Sequence, residues 1–255
     1  MKKIAIIGHS GFIGRNLSKE IKTKYLYNSK NISEIKYKNF DTIYCCGTSS
    51  LMWKANKNPE ADFFKIFELI KSISTVKCKL FILVSTIEVY ENVLNCDEES
   101  LIFKKGLSYG SNRFFLENFI TTKFNKYCIV RLPIVYGDEL KKNIIYDLLN
   151  KNKINNINPS NFLQYYPVDK LYADINFSVK NNLSIVNLSS KPIKTSKIIR
   201  IFYKKNIINK KKTKAKRNYN MKTIHSRLWN KKNYLYNEKY IIEDLIKFRR
   251  NYFKK

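Results

Sequence analysis

The feature that most constrains this chain lies between residues 8 and 14, which read Gly8-His9-Ser10-Gly11-Phe12-Ile13-Gly14. Before it stands Ile4-Ala5-Ile6-Ile7, an unbroken apolar run suited to a buried strand. After it, Phe12–Lys22 carries helical spacing. Three of the chain's seven glycines fall in this window. Gly8 permits a tight turn out of the strand, Gly11 lets the backbone approach an anion, and Gly14 lets helix and strand pack closely. The helix N-terminus adds unpaired N–H groups and the positive end of a dipole. Strand, glycine turn and helix together predict a cradle for the pyrophosphate of a dinucleotide, with Ser10, Phe12 and Ile13 sharing the turn.

The remainder continues the alternation of strand and helix. Tyr25–Tyr27 reads as a brief strand, Asp41–Cys46 as another, and residues 59–74 as a helix whose apolar face is Phe63, Phe64, Phe67 and Ile70. Leu80–Val84 is a continuous apolar strand of the kind buried on both faces of a parallel sheet. Residues 108–122 form a helix and Tyr127–Leu132 a strand. Beyond Gly137 the pattern predicts a helix over 139–150, a polar loop over 151–160 and a strand over 163–168. Asp169 is then expected to cap a helix over 170–179, followed by a strand over 184–188 and helices over 196–203 and 240–252. Residues 204–220 are a Lys/Asn-dense loop. The rhythm predicts an α/β, Rossmann-like doubly wound parallel sheet with a small, less regular C-terminal lobe. Its core is residues 1–137 with 161–190 returning to it; 138–160 and 191–255 make the lobe.

Charge points elsewhere at first. The chain has 49 Lys+Arg against 20 Asp+Glu, a net +29, and residues 191–255 hold 22 basic and 3 acidic residues. Such a surplus usually suggests nucleic acid or an anionic membrane. Lys outnumbers Arg 41 to 8, however, and residues with AT-rich codons exceed half the chain, so base composition is the simpler source. Tyr219, Trp229, Tyr234 and Tyr236 interleave with the basic residues in a pattern that can stack bases, but no nucleic-acid-binding motif accompanies them.

The five cysteines, Cys45, Cys46, Cys78, Cys96 and Cys128, are odd in number and show no C-x-x-C spacing, the pattern of reduced thiols. His9 and His225 stand far apart without neighbouring ligands, so no metal site is expected. The lysines at 2 and 3 and the apolar run after them imitate a signal peptide, but the run ends after four residues. No apolar stretch approaches the ~20 residues that span a bilayer. A cytoplasmic protein without a membrane segment is the expectation.

Several segments together with the glycine loop carry a resemblance. The loop is G-x-x-G-x-x-G, Asp41–Gly47 ends in Cys46-Gly47, Ser85-Thr86-Ile87-Glu88-Val89-Tyr90 follows an apolar strand, and Arg131-Leu132-Pro133-Ile134-Val135-Tyr136-Gly137 and Tyr165-Tyr166-Pro167-Val168-Asp169 come later. Over roughly residues 2–200 this resembles the extended short-chain dehydrogenase/reductase superfamily, in its NAD-dependent epimerase/dehydratase branch. The resemblance implies that Gly8, Ser10, Gly11, Phe12, Ile13, Gly14, Cys46, Gly47 and Pro133 contact an NAD(P) cofactor. At the end of the second strand, where NAD binding favours a carboxylate, the chain reads Tyr25-Leu26-Tyr27-Asn28-Ser29-Lys30. That leans towards NADP, with Arg15 and Lys30 as phosphate partners, although both residues also suit a solvated surface.

The resemblance also implies a catalytic set. Thr86 stands at the end of an apolar strand, where ligands collect in open α/β sheets, and Tyr109 and Arg113 share one helix face at i,i+4 spacing. In the resembled family Tyr is the general acid/base, the Ser/Thr orients the substrate oxygen, and a Lys four residues after the Tyr binds the nicotinamide ribose and lowers the Tyr pKa. Here Arg113 replaces that Lys, as a cation that cannot relay a proton. Glu88 and Asn143 are the further substrate-side residues implied. Ile87 stands where the family's 4,6-dehydratases carry an acid, which makes that reaction less fitting. The function implied is an oxidoreductase or epimerase acting on a nucleotide-activated sugar, in surface polysaccharide biosynthesis. Motif-bearing helices of the family commonly pair, which implies a homodimer along residues 113–124. The alternatives are a catalytically silent NAD(P)-binding regulatory protein and a nucleic-acid-binding basic tail.

Overall fold

A computed structural model describes residues 2–102, 105–203 and 217–254. In chain order the elements are β1 (Ile4–Ile7), α1 (Phe12–Glu20), β2 (Tyr25–Tyr27), β3 (Asn39–Cys45), α2 (Met52–Lys57), α3 (Pro59–Ile73), β4 (Lys77–Thr86), β5 (Leu94–Cys96), α4 (Tyr109–Lys123) and β6 (Tyr127–Leu132). There follow β7 (Ile134–Tyr136), α5 (Ile144–Leu149), β8 (Phe162–Leu163), β9 (Tyr165–Pro167), α6 (Leu171–Lys180), β10 (Ile185–Asn187), β11 (Ile193–Lys194), α7 (Thr195–Phe202), β12 (Asn220–Met221) and α8 (Glu238–Tyr252).

The chain divides into two units. The first comprises Met1–Glu91, Ser100–Leu132 and Lys170–Val186. Its six-stranded sheet runs β2-β1-β3-β4-β6-β10, parallel from β2 through β6, and Ile129 N–H donates to the Ser184 carbonyl at 2.8 Å beside β10. The winding direction reverses between β1 and β3, which pair Ile7 with Cys45 at their C-terminal ends. Such a reversal opens the crevice where open α/β sheets take their ligands. Side chains alternate across the sheet. Ala5, Ile7, Ile43, Cys45, Phe81, Leu83 and Ile129 form one core with Ile66, Leu69 and Ile73 of α3 and Leu116 and Ile120 of α4.

Helix α3 corrects an expectation. Its buried side is Asp62, Ile66, Leu69, Ile70, Ser72 and Ile73, while Phe64 is 63% and Phe67 47% exposed. The phenylalanine stripe lies off the core because the isoleucine–leucine face fits the sheet, and Phe63 instead packs on the Phe115 ring at 5.0 Å.

The second unit comprises Asn92–Glu99, Pro133–Asp169 and Asn187–Lys255. Residues 92–99, 133–137, 161–169 and 187–190 thus lie outside the division expected from sequence, because their strands pair with one another. β5 pairs with β12, β7 with β9, and β8 antiparallel with β11. The expected strand over 163–168 changes partner at Gln164, whose buried amide accepts from Met221 N–H at 2.7 Å and donates to the Met221 carbonyl at 2.8 Å. The helix expected over 139–150 begins only at Ile144, since Glu139 (φ 65°) and Asn143 (φ 98°) have left-handed backbones that no helix admits. The helix after Asp169 starts at Leu171: residues 168–170 form a 3-10 turn leading directly into α6, so the cap position falls on Lys170. Of the loop expected over 204–220, residues 204–216 lie outside the described residues, and Asn220–Met221 is β12.

Tyr219 is buried, Tyr236 packs between Tyr166 and Tyr240, and the Tyr234 hydroxyl donates to Asn220. These aromatics are engaged in the packing of their own unit. All five cysteines are unpaired thiols, and burial pushes Cys45 up to about 11 and Cys128 up to about 12, consistent with small hydrophobes at rest in a core. Among the described residues, no helix is long and apolar enough to cross a membrane.

Candidate active site

Two of the loop glycines are required by the protein itself. Gly8 has φ +84°, and a Cβ there would lie 2.5 Å from the Cys46 carbonyl oxygen. A Cβ on Gly14 would overlap the Gly8 carbonyl, so α1 approaches the turn only because that position is bare. Gly11 differs. It is exposed, and a Cβ would meet only the Gly8 carbonyl oxygen at 3.2 Å. That contact is tight but far less severe than those at Gly8 and Gly14, so packing demands glycine least at this position. Gly11 is the N-cap of α1, and no side chain caps that helix. An open, uncapped helix start at the sheet's switch point suits a pyrophosphate. Cys46 closes the far side, its N–H donating to the Ile7 carbonyl at 2.9 Å and its Sγ lying 3.2 Å from the same oxygen. Gly47 beside it is exposed.

The end of β2 holds no carboxylate. Asn28 stands there, with Oδ1 accepting from Lys30 N–H at 2.8 Å and Nδ2 3.0 Å from His9 Nε2. Its amide is therefore tied to the glycine loop. Lys30 is exposed, and Arg15 donates to the Ser10 carbonyl.

A second group gathers at the end of β4. Thr86 is its last residue, and the hydroxyl accepts from Glu88 N–H at 3.3 Å, capping the 3-10 turn Ile87–Val89. Tyr109 opens α4 behind the Ser108–Ser111 capping box, and its N–H donates to Asn56 Oδ1 at 2.8 Å. Thr86 lies close enough to the Tyr109 phenol to act on its charge. Burial pushes that phenol above its ordinary pKa; Arg113 and Thr86 pull it down, while Glu88 and Asp62 push it further up. The nearby cation was expected to favour tyrosinate. Desolvation outweighs it.

Arg113 also stands differently from the expectation. Its side chain is 2% exposed and forks onto Asp62 of α3, with Nη2 2.9 Å from Oδ1 and Nη1 on Oδ2. Nη1 also reaches the Tyr109 carbonyl at 3.2 Å, and Nη2 the Ser49 carbonyl. The guanidinium carbon lies 3.8 Å from the Tyr109 ring centroid. A planar fork matches a carboxylate bidentately, as an ammonium cannot. Both terminal nitrogens are thus bound within the protein, facing α3 and the loop after β3.

Glu88 lies close enough to act on the Tyr109 charge. The structure therefore brings together Thr86, Glu88, Tyr109 and Arg113 in the first unit. Pro133 and Asn143 belong to the second. Asn143 caps α5 with its side-chain oxygen, accepting from Ile145 and Tyr146 N–H at 2.9 and 3.3 Å, and its Nδ2 donates to the Val135 carbonyl at 2.8 Å. These bonds make it a capping residue. Asp62, Ser49 and Asn56 escaped the sequence reading. Asp62 had a usable signal: it falls at helical spacing with Ile66, Leu69 and Ile73, a carboxylate on an apolar face.

No model of a protein family matches the chain, and no curated protein matches it in sequence. Solved structures do match. A dTDP-4-dehydrorhamnose reductase from Clostridium acetobutylicum superposes with TM-score 0.70 at 15% identity, over 99% of this chain and 100% of that one. A UDP-glucose 4-epimerase from Thermotoga maritima, with UDP-glucose, gives 0.74 at 14% identity over 98% of each chain. An NAD-dependent NDP-hexosamine 5,6-dehydratase of tunicamycin biosynthesis gives 0.75 at 15%, over 100% and 98%. At these identities the likeness establishes a fold, the Rossmann-like α/β architecture expected from sequence.

Proposed function

We propose that this protein is a nicotinamide-dependent enzyme that reduces or epimerises a nucleotide-activated sugar. One observation carries the reading: Thr86 at the C-terminal end of β4 lies close enough to act on the Tyr109 phenol, in the sheet whose β1 end bears an open glycine cradle. Thr86 orients the substrate oxygen, and Tyr109 exchanges the proton with it. A bound nicotinamide dinucleotide supplies or accepts the hydride. Gly8, Ser10, Gly11, Phe12, Ile13, Gly14, Cys46 and Gly47 would hold it, the fit resting on the space left at Gly11 and the uncapped start of α1. An end of β2 without a carboxylate and with an exposed Lys30 favours NADP. The matching reductase, epimerase and dehydratase all act on nucleotide sugars by their descriptions, which supports the substrate class. Ile87, 3% exposed and apolar, offers no acid for eliminating water, so 4,6-dehydration fits less well.

A second reading has its own support. Arg113, bound on Asp62, leaves the position of the family's ribose-binding cation closed, as a silent cofactor-binding protein could tolerate. Titration of the purified protein with NADPH and NADH, followed by nicotinamide fluorescence, tests the cradle. Binding should be seen and should be lost in Gly11→Trp; equal affinity in both proteins rejects the cradle. Tight binding with no turnover of any nucleotide sugar selects the silent reading.

A further inference from the structure

Asp62 is the least expected charge near Tyr109. It is 7% exposed on a helix face that otherwise packs the core, and beyond Arg113 it accepts from Asn112 Nδ2 at 2.9 Å. A carboxylate is costly in such a place unless it is paired. Its partner stacks on the ring of Tyr109 itself.

We propose that Asp62 is a positioning residue: by pairing with Arg113 it offsets the charge of the guanidinium stacked on Tyr109 and holds that guanidinium within the protein, so that Tyr109 serves as a proton donor. This rests on the function proposed above and adds its direction, reduction of a sugar carbonyl. The charged groups bearing on Tyr109 are Arg113 on its own helix, Asp62 from α3, and Glu88 from the turn after β4. Arg113 and Asp62 sum to zero, and Glu88 adds a negative charge. Arg113 draws on the proton of the phenol, Asp62 and Glu88 oppose that pull, and burial, the largest influence, opposes the proton's loss. A reduced nicotinamide bound in the cradle would supply the hydride to the carbonyl carbon, and the Tyr109 O–H bond would break as its proton passes to the substrate oxygen. Tyr109 is left as phenolate and regains a proton from water. The ring is held for this by three contacts: the stack under Arg113, the Arg113 bond to its own carbonyl at 3.2 Å, and the Asn56 bond to its N–H.

The test is made without cofactor or substrate, on full-length protein labelled with [13Cζ]tyrosine and titrated by NMR, with Tyr109→Phe assigning the resonance. Wild-type Tyr109 should titrate above the exposed tyrosines. Asp62→Asn, which leaves the guanidinium charge uncancelled, should lower its midpoint by about one pH unit or more. Arg113→Gln should raise it, and the double variant should return it close to wild type. In carbonyl reduction the loss of rate at high pH would move with the midpoint, to lower pH in Asp62→Asn. A midpoint unmoved in a folded Asp62→Asn protein overturns the proposal. Should Asp62→Asn fail to fold, Arg113→Gln against the double variant decides, and equal midpoints in those two overturn it. A merely structural ion pair would alter stability without moving the midpoint in opposite directions. Failure to turn over any nucleotide sugar would remove the function and leave these midpoints as expected.

Discussion

Two buried arginines in the first unit use the same chemistry for different ends. Arg131 and Arg113 are each 2% exposed, each rest on a carboxylate, and each have a tyrosine ring beside the guanidinium. At Arg131 the network closes on itself. Nε lies 3.2 Å from both Glu117 oxygens, Nη2 2.6 Å from Oε2, and Nη1 donates to the Tyr90 hydroxyl at 2.7 Å. Ser85, opposite Arg131 in the sheet register, donates to the same carboxylate. Tyr90's polar end is thereby fully occupied by structure. At Arg113 the guanidinium lies over the ring at 3.8 Å and binds Asp62 and the Ser49 and Tyr109 carbonyls, leaving the phenol outside that network. Both tyrosine rings sit beside their arginine, but only the Tyr90 hydroxyl is bonded to it; the Tyr109 hydroxyl is left for the proton transfer proposed above.

That contrast can be broken by substitution. The largest effect on stability is expected from Glu117→Ala, which strands a buried guanidinium and should cost about 3–5 kcal/mol in denaturant unfolding. The Tyr109 titration midpoint should stay where it was. Tyr90→Phe removes one hydrogen bond to a charged group and should cost about 1.5–3 kcal/mol, with turnover per folded molecule unchanged. If Tyr90→Phe abolished turnover, the two tyrosines would not divide their roles as described.

The difference between the clusters also marks what the sequence disclosed. The glycine loop was legible because Gly8 and Gly14 meet hard steric demands and stand beside an unbroken apolar strand. Thr86 and Tyr109 could be placed because one ends a strand and the other opens a helix. The fork of Arg113 onto Asp62 was not legible, since it joins helices 51 residues apart in sequence. The outward phenylalanines of α3 misled for a related reason: two apolar stripes share that helix, and only the sheet selects between them. In the second unit, strands of two or three residues lie below any periodicity, and the capping of α5 by the Asn143 amide had no signal in the sequence.

The central claim is that Tyr109 transfers the proton in a nicotinamide-dependent reaction on a sugar nucleotide. Its most direct test is oxidation of NADPH or NADH by a keto sugar nucleotide, followed with wild-type protein and Tyr109→Phe side by side. Turnover should fall about 10²–10⁴-fold in the variant, while cofactor affinity stays unchanged. A Tyr109→Phe protein that turns over at the wild-type rate would contradict the account.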